Sequence, residues 1–149
     1  MLVFVFNILL SCSESEHLKS SDEKIDSAWP EKIAPALKNT FGYISANYAN
    51  YNYQTVFSEL QNNRPVILSG GKKNGWWIFA SSVNGHTWVC DGYYKIVNSV
   101  GSMLWFNMNW GHNGTSDGYF STNNFNPFLN GEVKDYNFEV KMTYNIRKP

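Results

Sequence analysis

Two stretches in the second half of the chain decide how it is read. They are Asn84-Gly85-His86-Thr87-Trp88-Val89-Cys90-Asp91-Gly92 and Asn107-Met108-Asn109-Trp110-Gly111-His112-Asn113-Gly114-Thr115-Ser116-Asp117-Gly118-Tyr119-Phe120. In the first, Gly85 places His86 at the head of an apolar run. In the second, Asn109-Trp110-Gly111 ends another apolar run and enters a glycine-rich turn. Apolar runs punctuated by Asn, Asp and Gly are strand signals. Two such strands lying antiparallel bring the His86 and Asn109 side chains together, and Trp110 then shields the pair from water.

Working outward, the sequence from Pro65 onward reads as β. Val66–Leu68 is a short buried strand, Gly70–Gly75 a turn, Trp76–Ala80 a strand and Asn84–Gly85 a hairpin turn. Strands follow over His86–Ile96, Met103–Asn109, Tyr119–Phe120 and Tyr136–Tyr144. The last alternates, with Phe138, Val140 and Met142 on one face and Glu139 and Lys141 on the other. Upstream, Pro35 suits the first turn of a helix carrying Ala36, Leu37 and Phe41, stopped by Gly42. Tyr43–Tyr53 is rich in Asn and Tyr and reads as a loop. A second helix is expected over Thr55–Asn62, capped by Thr55, with Val56, Phe57 and Leu60 on one face. The fold class is therefore α+β: short N-terminal helices followed by a twisted antiparallel sheet.

The 149 residues allow one domain with a modest core. Apolar content of 43% and aromatic content of 17% suit a packed, β-rich globule. Twelve basic and twelve acidic residues cancel, which leaves no electrostatic case for a nucleic-acid partner. Residues 1–12 read as a secretory signal: Leu2 to Leu10 is almost wholly apolar and too short to span a bilayer. Leu9-Leu10-Ser11-Cys12 resembles a bacterial lipobox, with Cys12 as the lipidated residue. Export across the inner membrane and a lipid-anchored periplasmic or cell-surface location follow, the anchor being the one membrane contact expected. Simple secretion is the alternative. Residues 13–28 are polar, lack apolar periodicity and read as a flexible tether. Residues 29–149 form the folded unit. With Cys12 lipidated, Cys90 stands alone and behaves as a small buried hydrophobe.

The chemistry open to His86 is that of a cysteine peptidase. Such a site holds a thiolate beside an imidazolium, and the imidazolium later protonates the leaving amine. A third group fixes the ring through its other N–H, and in papain-like enzymes that group is an asparagine side chain. Asn109 fits that part. A histidine on an apolar strand is also, and commonly, a packed structural residue, and Asn-Trp-Gly alone is a weak signal. His86, Asp91 and His112 lack any recognisable metal-ligand spacing, so no metal or other cofactor is expected. The six Trp and nine Tyr residues suit a carbohydrate-stacking face or, more simply, a core.

Taken together, these motifs resemble the streptopain family of bacterial cysteine peptidases. Its pattern is a Gly-His-Ala-Phe-Val-x-Asp-Gly strand, then Asn-Trp-Gly-Trp-Gly-Gly-x-x-Asp-Gly-(Phe/Tyr)-Phe, then an Asn-Pro. Here Gly85–Gly92, Asn109–Phe120 and Asn126-Pro127 match in order. Ala36–Tyr43 and Leu60–Ile67 resemble the stretches that lead into the histidine strand. The resemblance covers roughly Ile33 to the C-terminus and implies a papain-like half-domain. It implies that His86 is the catalytic histidine, that Asn109 orients it, and that Trp110, Gly85 and Gly111 support the site. It also implies a mobile substrate-flanking loop over Gly70–Asn84.

Two departures stand out. His112 replaces the family's second tryptophan, and Asn113 replaces a glycine. Upstream, the family carries its nucleophilic cysteine on a helix preceded by an oxyanion-hole glutamine, and neither is found before Ile33. Cys90 lies four strand positions from His86, about 13 Å at ~3.3 Å per residue, beyond hydrogen-bond reach. The expectation is a truncated or split cysteine-type endopeptidase, inactive as an isolated chain. Its partners would be a polypeptide substrate or a separate N-terminal peptidase half. The alternative is a non-catalytic secreted lipoprotein that serves as a binding module or peptidase regulator.

Overall fold

The computed structural model describes residues 29–76 and 80–149. The signal segment, Cys12 and the tether lie outside the described residues, as do Trp77, Ile78 and Phe79 of the strand expected over Trp76–Ala80. A 3-10 turn at Pro30–Lys32 leads into α1 (Ile33–Asn39), β1 (Ser45–Asn50), α2 (Tyr53–Gln61), β2 (Val66–Asn74), β3 (Ser81–Asn98) and β4 (Gly101–Asn109). Then come β5 (Gly118–Ser121), β6 (Phe128–Leu129), β7 (Glu132–Val133) and β8 (Phe138–Arg147). Six strands form one sheet in the order β1-β8-β2-β3-β4-β5, and β6 pairs with β7. All these pairings are antiparallel. The molecule is thus mostly antiparallel sheet with two short helices, in keeping with a papain-like fold.

Strand alternation distributes the core over both faces of the sheet. Val66 and Leu68 of β2 join Val56 and Leu60 of α2 in a cluster with Trp88, Cys90, Phe106, Met108, Trp110, Phe125, Tyr136 and Met142. Ile67 points the other way, against Ala34 and Leu37 of α1 and Ala46 of β1. In β8, Met142 and Tyr144 serve the first cluster and Ile146 the second. Between them Asn145 adopts a left-handed φ of 54°, where the β1–β8 register also shifts. That extra residue reverses the alternation. The Asn145 N–H donates to Glu59 Oε2 at 3.1 Å, and Arg64 grips the same carboxylate at 2.7 and 3.0 Å. The buried Glu59 is therefore fully partnered, and Arg64 first of all holds its carboxyl below the usual range.

Several elements differ from the sequence reading. The supposed loop Tyr43–Tyr53 contains β1, because pairing with β8 satisfies a backbone whose Asn-rich composition argues against a strand. The cap of α2 is Asn52, whose Oδ1 accepts from the Thr55 N–H at 2.9 Å, so Thr55 lies inside the helix. Gly70–Gly75 is not a turn up to Asn74, since β2 continues and pairs Lys72, Lys73 and Asn74 with Val83, Ser82 and Ser81. Asn84–Gly85 is not a hairpin turn either. It lies within β3, where Asn84 takes a φ of 51° opposite a register shift between Gly70 and Lys72. The same Asn-Gly preference for a left-handed backbone serves a bulge as well as a turn.

Candidate active site

His86 sits in β3 opposite Gly70, just past the irregularity at Asn84–Gly85, on the same sheet face as Trp88 and Cys90. It is half-buried. Its Nε2 lies 2.8 Å from the Trp110 carbonyl oxygen. A carbonyl only accepts, so the ring carries its proton on Nε2 and leaves Nδ1 without a hydrogen-bond partner among the described residues. Aromatic rings surround it. His112 and Tyr136 stack at centroid distances of 5.0 Å each, with planes at 19° and 29°. Trp88 and Trp110 follow at 6.3 and 6.5 Å.

The turn after β4 builds this cage. Gly111 has a left-handed φ of 79°, which a side chain disfavours. The Asn109 Oδ1 accepts from the Gly111 N–H at 3.1 Å, an Asx-type turn. The Trp110 N–H donates to Asp117 Oδ1 at 2.9 Å, closing the turn from its far side. Trp110 itself is fully buried, packed at 4.8 Å on Trp88 and edge-on to Phe120 at 5.2 Å.

Among the described residues, no hydrogen bond joins His86 to Asn109. Asn109 pairs with Val89 in the ladder, whose side chain faces away from His86. The group that meets the ring is the backbone carbonyl of the next residue, not the amide expected from sequence. Trp110 packs beside the His86 ring at 6.5 Å, and Gly111 makes the turn. At Gly85 a Cβ would meet only the Gly70 carbonyl, at 3.8 Å. Asp117 and Tyr136 were not singled out by sequence. Asp117 had a signal in its Asp-Gly pair; Tyr136 had none beyond its aromatic character. Within Gly70–Asn84, Lys72, Lys73 and Asn74 pair with Val83, Ser82 and Ser81.

Cys90 is fully buried, and burial, with Asp91 adding to it, pushes its thiol far above the ordinary range. It stays a neutral thiol in the core. Asp91 accepts from Asn107 Nδ2 at 2.9 Å. No group of three or more His, Cys, Asp or Glu is placed to hold a metal among the described residues.

The sequence pattern of the Peptidase C10 family matches residues 11–120. The chain belongs to the peptidase C10 family. Within it, the chain is 30% identical over 109 residues to streptopain of Streptococcus pyogenes, covering 68% of this chain and 23% of streptopain. Streptopain of serotype M1 gives the same figures. Active wild-type interpain A, a cysteine protease of Prevotella intermedia, superposes with a TM-score of 0.52 and 31% identity, over 74% of this chain and 42% of that one. The chain thus spans less than half the length of these peptidase C10 relatives. The fold is that of a streptopain-like, papain-fold peptidase.

The burial of His86 has a thermodynamic consequence. Burial pushes its pKa below the usual imidazole value; the Trp110 carbonyl opposes this, and His112 adds to the downward push. The unfolded chain then binds the proton more tightly than the folded one. The resulting stability is present in full above the unfolded value, about 6.5, and is lost as pH falls through the lower, folded value. Urea midpoints are expected to fall between pH 8 and pH 5, and to fall less in His86→Phe.

Proposed function

We propose that residues 29–149 carry the acid/base half of a cysteine-type endopeptidase site. His86 exchanges the proton, and a cysteine from outside these residues supplies the thiolate. The observation that carries this reading is the 2.8 Å contact from His86 Nε2 to the Trp110 carbonyl. It leaves Nδ1 as the nitrogen that faces chemistry. Nδ1 takes the thiol proton and so forms a thiolate–imidazolium pair. The sulfur attacks the peptide carbonyl carbon, the C–N bond breaks, and Nδ1–H delivers its proton to the departing amine. Water then cleaves the thioester and returns its proton through the same nitrogen. Asn109 acts one step back, by closing the turn that presents the carbonyl. The lipid anchor at Cys12 belongs to the same proposal.

Family membership and the caged imidazole support catalysis over a purely binding role. Cys90 is sealed and neutral, so the chain alone is expected not to hydrolyse casein. The full chain mixed with a family polypeptide bearing the Gln-then-Cys helix is expected to do so. His86→Ala should lower that turnover by about 10²–10⁴-fold, while Cys90→Ala should leave it in place. Turnover that survives His86→Ala, or that depends on the Cys90 thiol, contradicts the proposal.

A further inference from the structure

We propose that His112 is a positioning residue for His86: a second imidazole, stacked on the first, that fixes its ring plane and limits the charge it carries. The proposal rests on the reading of His86 as the acid/base, and it deepens that reading. The two rings lie 5.0 Å apart with planes at 19°. Two contacts to His86 come from one turn: Trp110 offers its carbonyl, Gly111 reverses the chain at φ 79°, and His112 offers its ring. The turn is held by Asp117 on the Trp110 N–H and by the Thr115 N–H on the His112 carbonyl at 2.9 Å. A ring placed by so fixed a turn is a built contact. His112 Nε2 is buried without a hydrogen-bond partner among the described residues.

The family pattern has a tryptophan at this position, which would stack without titrating. Histidine adds a titratable ring. A positive charge on His112 opposes a positive charge on His86. The other groups against His86 are neutral: Trp88, Trp110 and Tyr136, the last with its phenol held protonated by burial. Beyond Tyr136, a groove of about 220 Å³ is lined by Lys72, Lys134, Glu132 and Asp135. Glu132 pairs with Lys134, and Asp135 accepts from Asn137. These charges offset one another, which among the described residues leaves His112 as the ring in contact with His86 that can carry a positive charge. The His112 ring also helps to hold His86 neutral, with Nδ1 free, until a thiol arrives and gives up its proton to Nδ1.

The test is an NMR titration of the His86 imidazole in the full chain. In His112→Phe and in His112→Trp, each retaining a flat ring, the His86 midpoint is expected to rise above its wild-type value. A merely structural role leaves the midpoint in place. An unmoved midpoint in either folded variant overturns the proposal. The readout needs no turnover. Inactivity of the mixed polypeptides would strike the acid/base reading and leave the His112 contact standing.

Discussion

Replacing Trp110 by alanine is expected to destabilise the chain by about 3–5 kcal/mol. The indole is fully buried and packs on Trp88, Phe120 and Tyr136 at 4.8, 5.2 and 6.0 Å. Its removal opens a cavity where the sheet, the turn after β4 and the segment before β8 converge. Three backbone-anchored pieces cannot collapse together to fill it, so the cavity term adds to the lost transfer free energy. The carbonyl that holds His86 belongs to the same residue, and its position depends on that packing. A drop in the urea midpoint together with a shift of the His86 ring resonances is the expected result. Trp76→Ala is the comparison: that side chain is 87% exposed, and its loss should change stability by less than about 0.5 kcal/mol. Equal effects at the two tryptophans would contradict the packing described.

Gly70→Ala is expected to be nearly as severe, by a different route. Gly70 stands opposite His86 in the β2–β3 ladder. A Cβ built there falls well inside van der Waals contact with the Tyr136 carbonyl oxygen, and 3.3 Å from Val140 Cγ2. The main obstacle is backbone, which cannot swing aside as a side chain would. The segment carrying Tyr136 must retreat, and with it the ring stacked on His86. A loss of roughly 1–3 kcal/mol and a disturbed His86 environment should appear together in chemical denaturation and NMR spectra. Gly85→Ala is the control across the same pair of strands: its Cβ meets nothing closer than 3.8 Å, so the space tolerates it. Unchanged stability in Gly70→Ala would show that the Tyr136 segment does not approach as described.

The sequence was legible where side-chain identity decides the outcome. The apolar runs around Trp88 and Phe106 are strands because their alternating residues fill the core. Pro35 falls in the first turn of α1, where its preset φ suits the helix, and Gly42 follows the helix because it accepts the left-handed φ of 71°. It was less legible where the backbone or the tertiary setting decides. The group that meets His86 is a carbonyl, which every residue owns, so nothing in the letters of Trp110 announces it. The Asn109 side chain is spent on the Gly111 N–H, a local bond that Asn-x-Gly does favour and that competes with any reach towards His86. Asn84–Gly85 signals a left-handed backbone, and the choice of bulge over hairpin depends on the partner strand β2. β1 is a strand because β8 is there to pair with it, against its own composition. The approach of Tyr136 to His86 joins residues far apart in the chain, and no periodicity encodes it.

The most direct test of the account is the tautomer of neutral His86, read from its imidazole ¹⁵N resonances in the full chain above pH 8. The proposed site requires the proton on Nε2, donated to the Trp110 carbonyl, and an unprotonated Nδ1 free to take a thiol proton. A protonated Nε2 and a bare Nδ1 are the predicted result. A proton on Nδ1, with Nε2 bare against a carbonyl that cannot donate to it, would contradict the account at its centre.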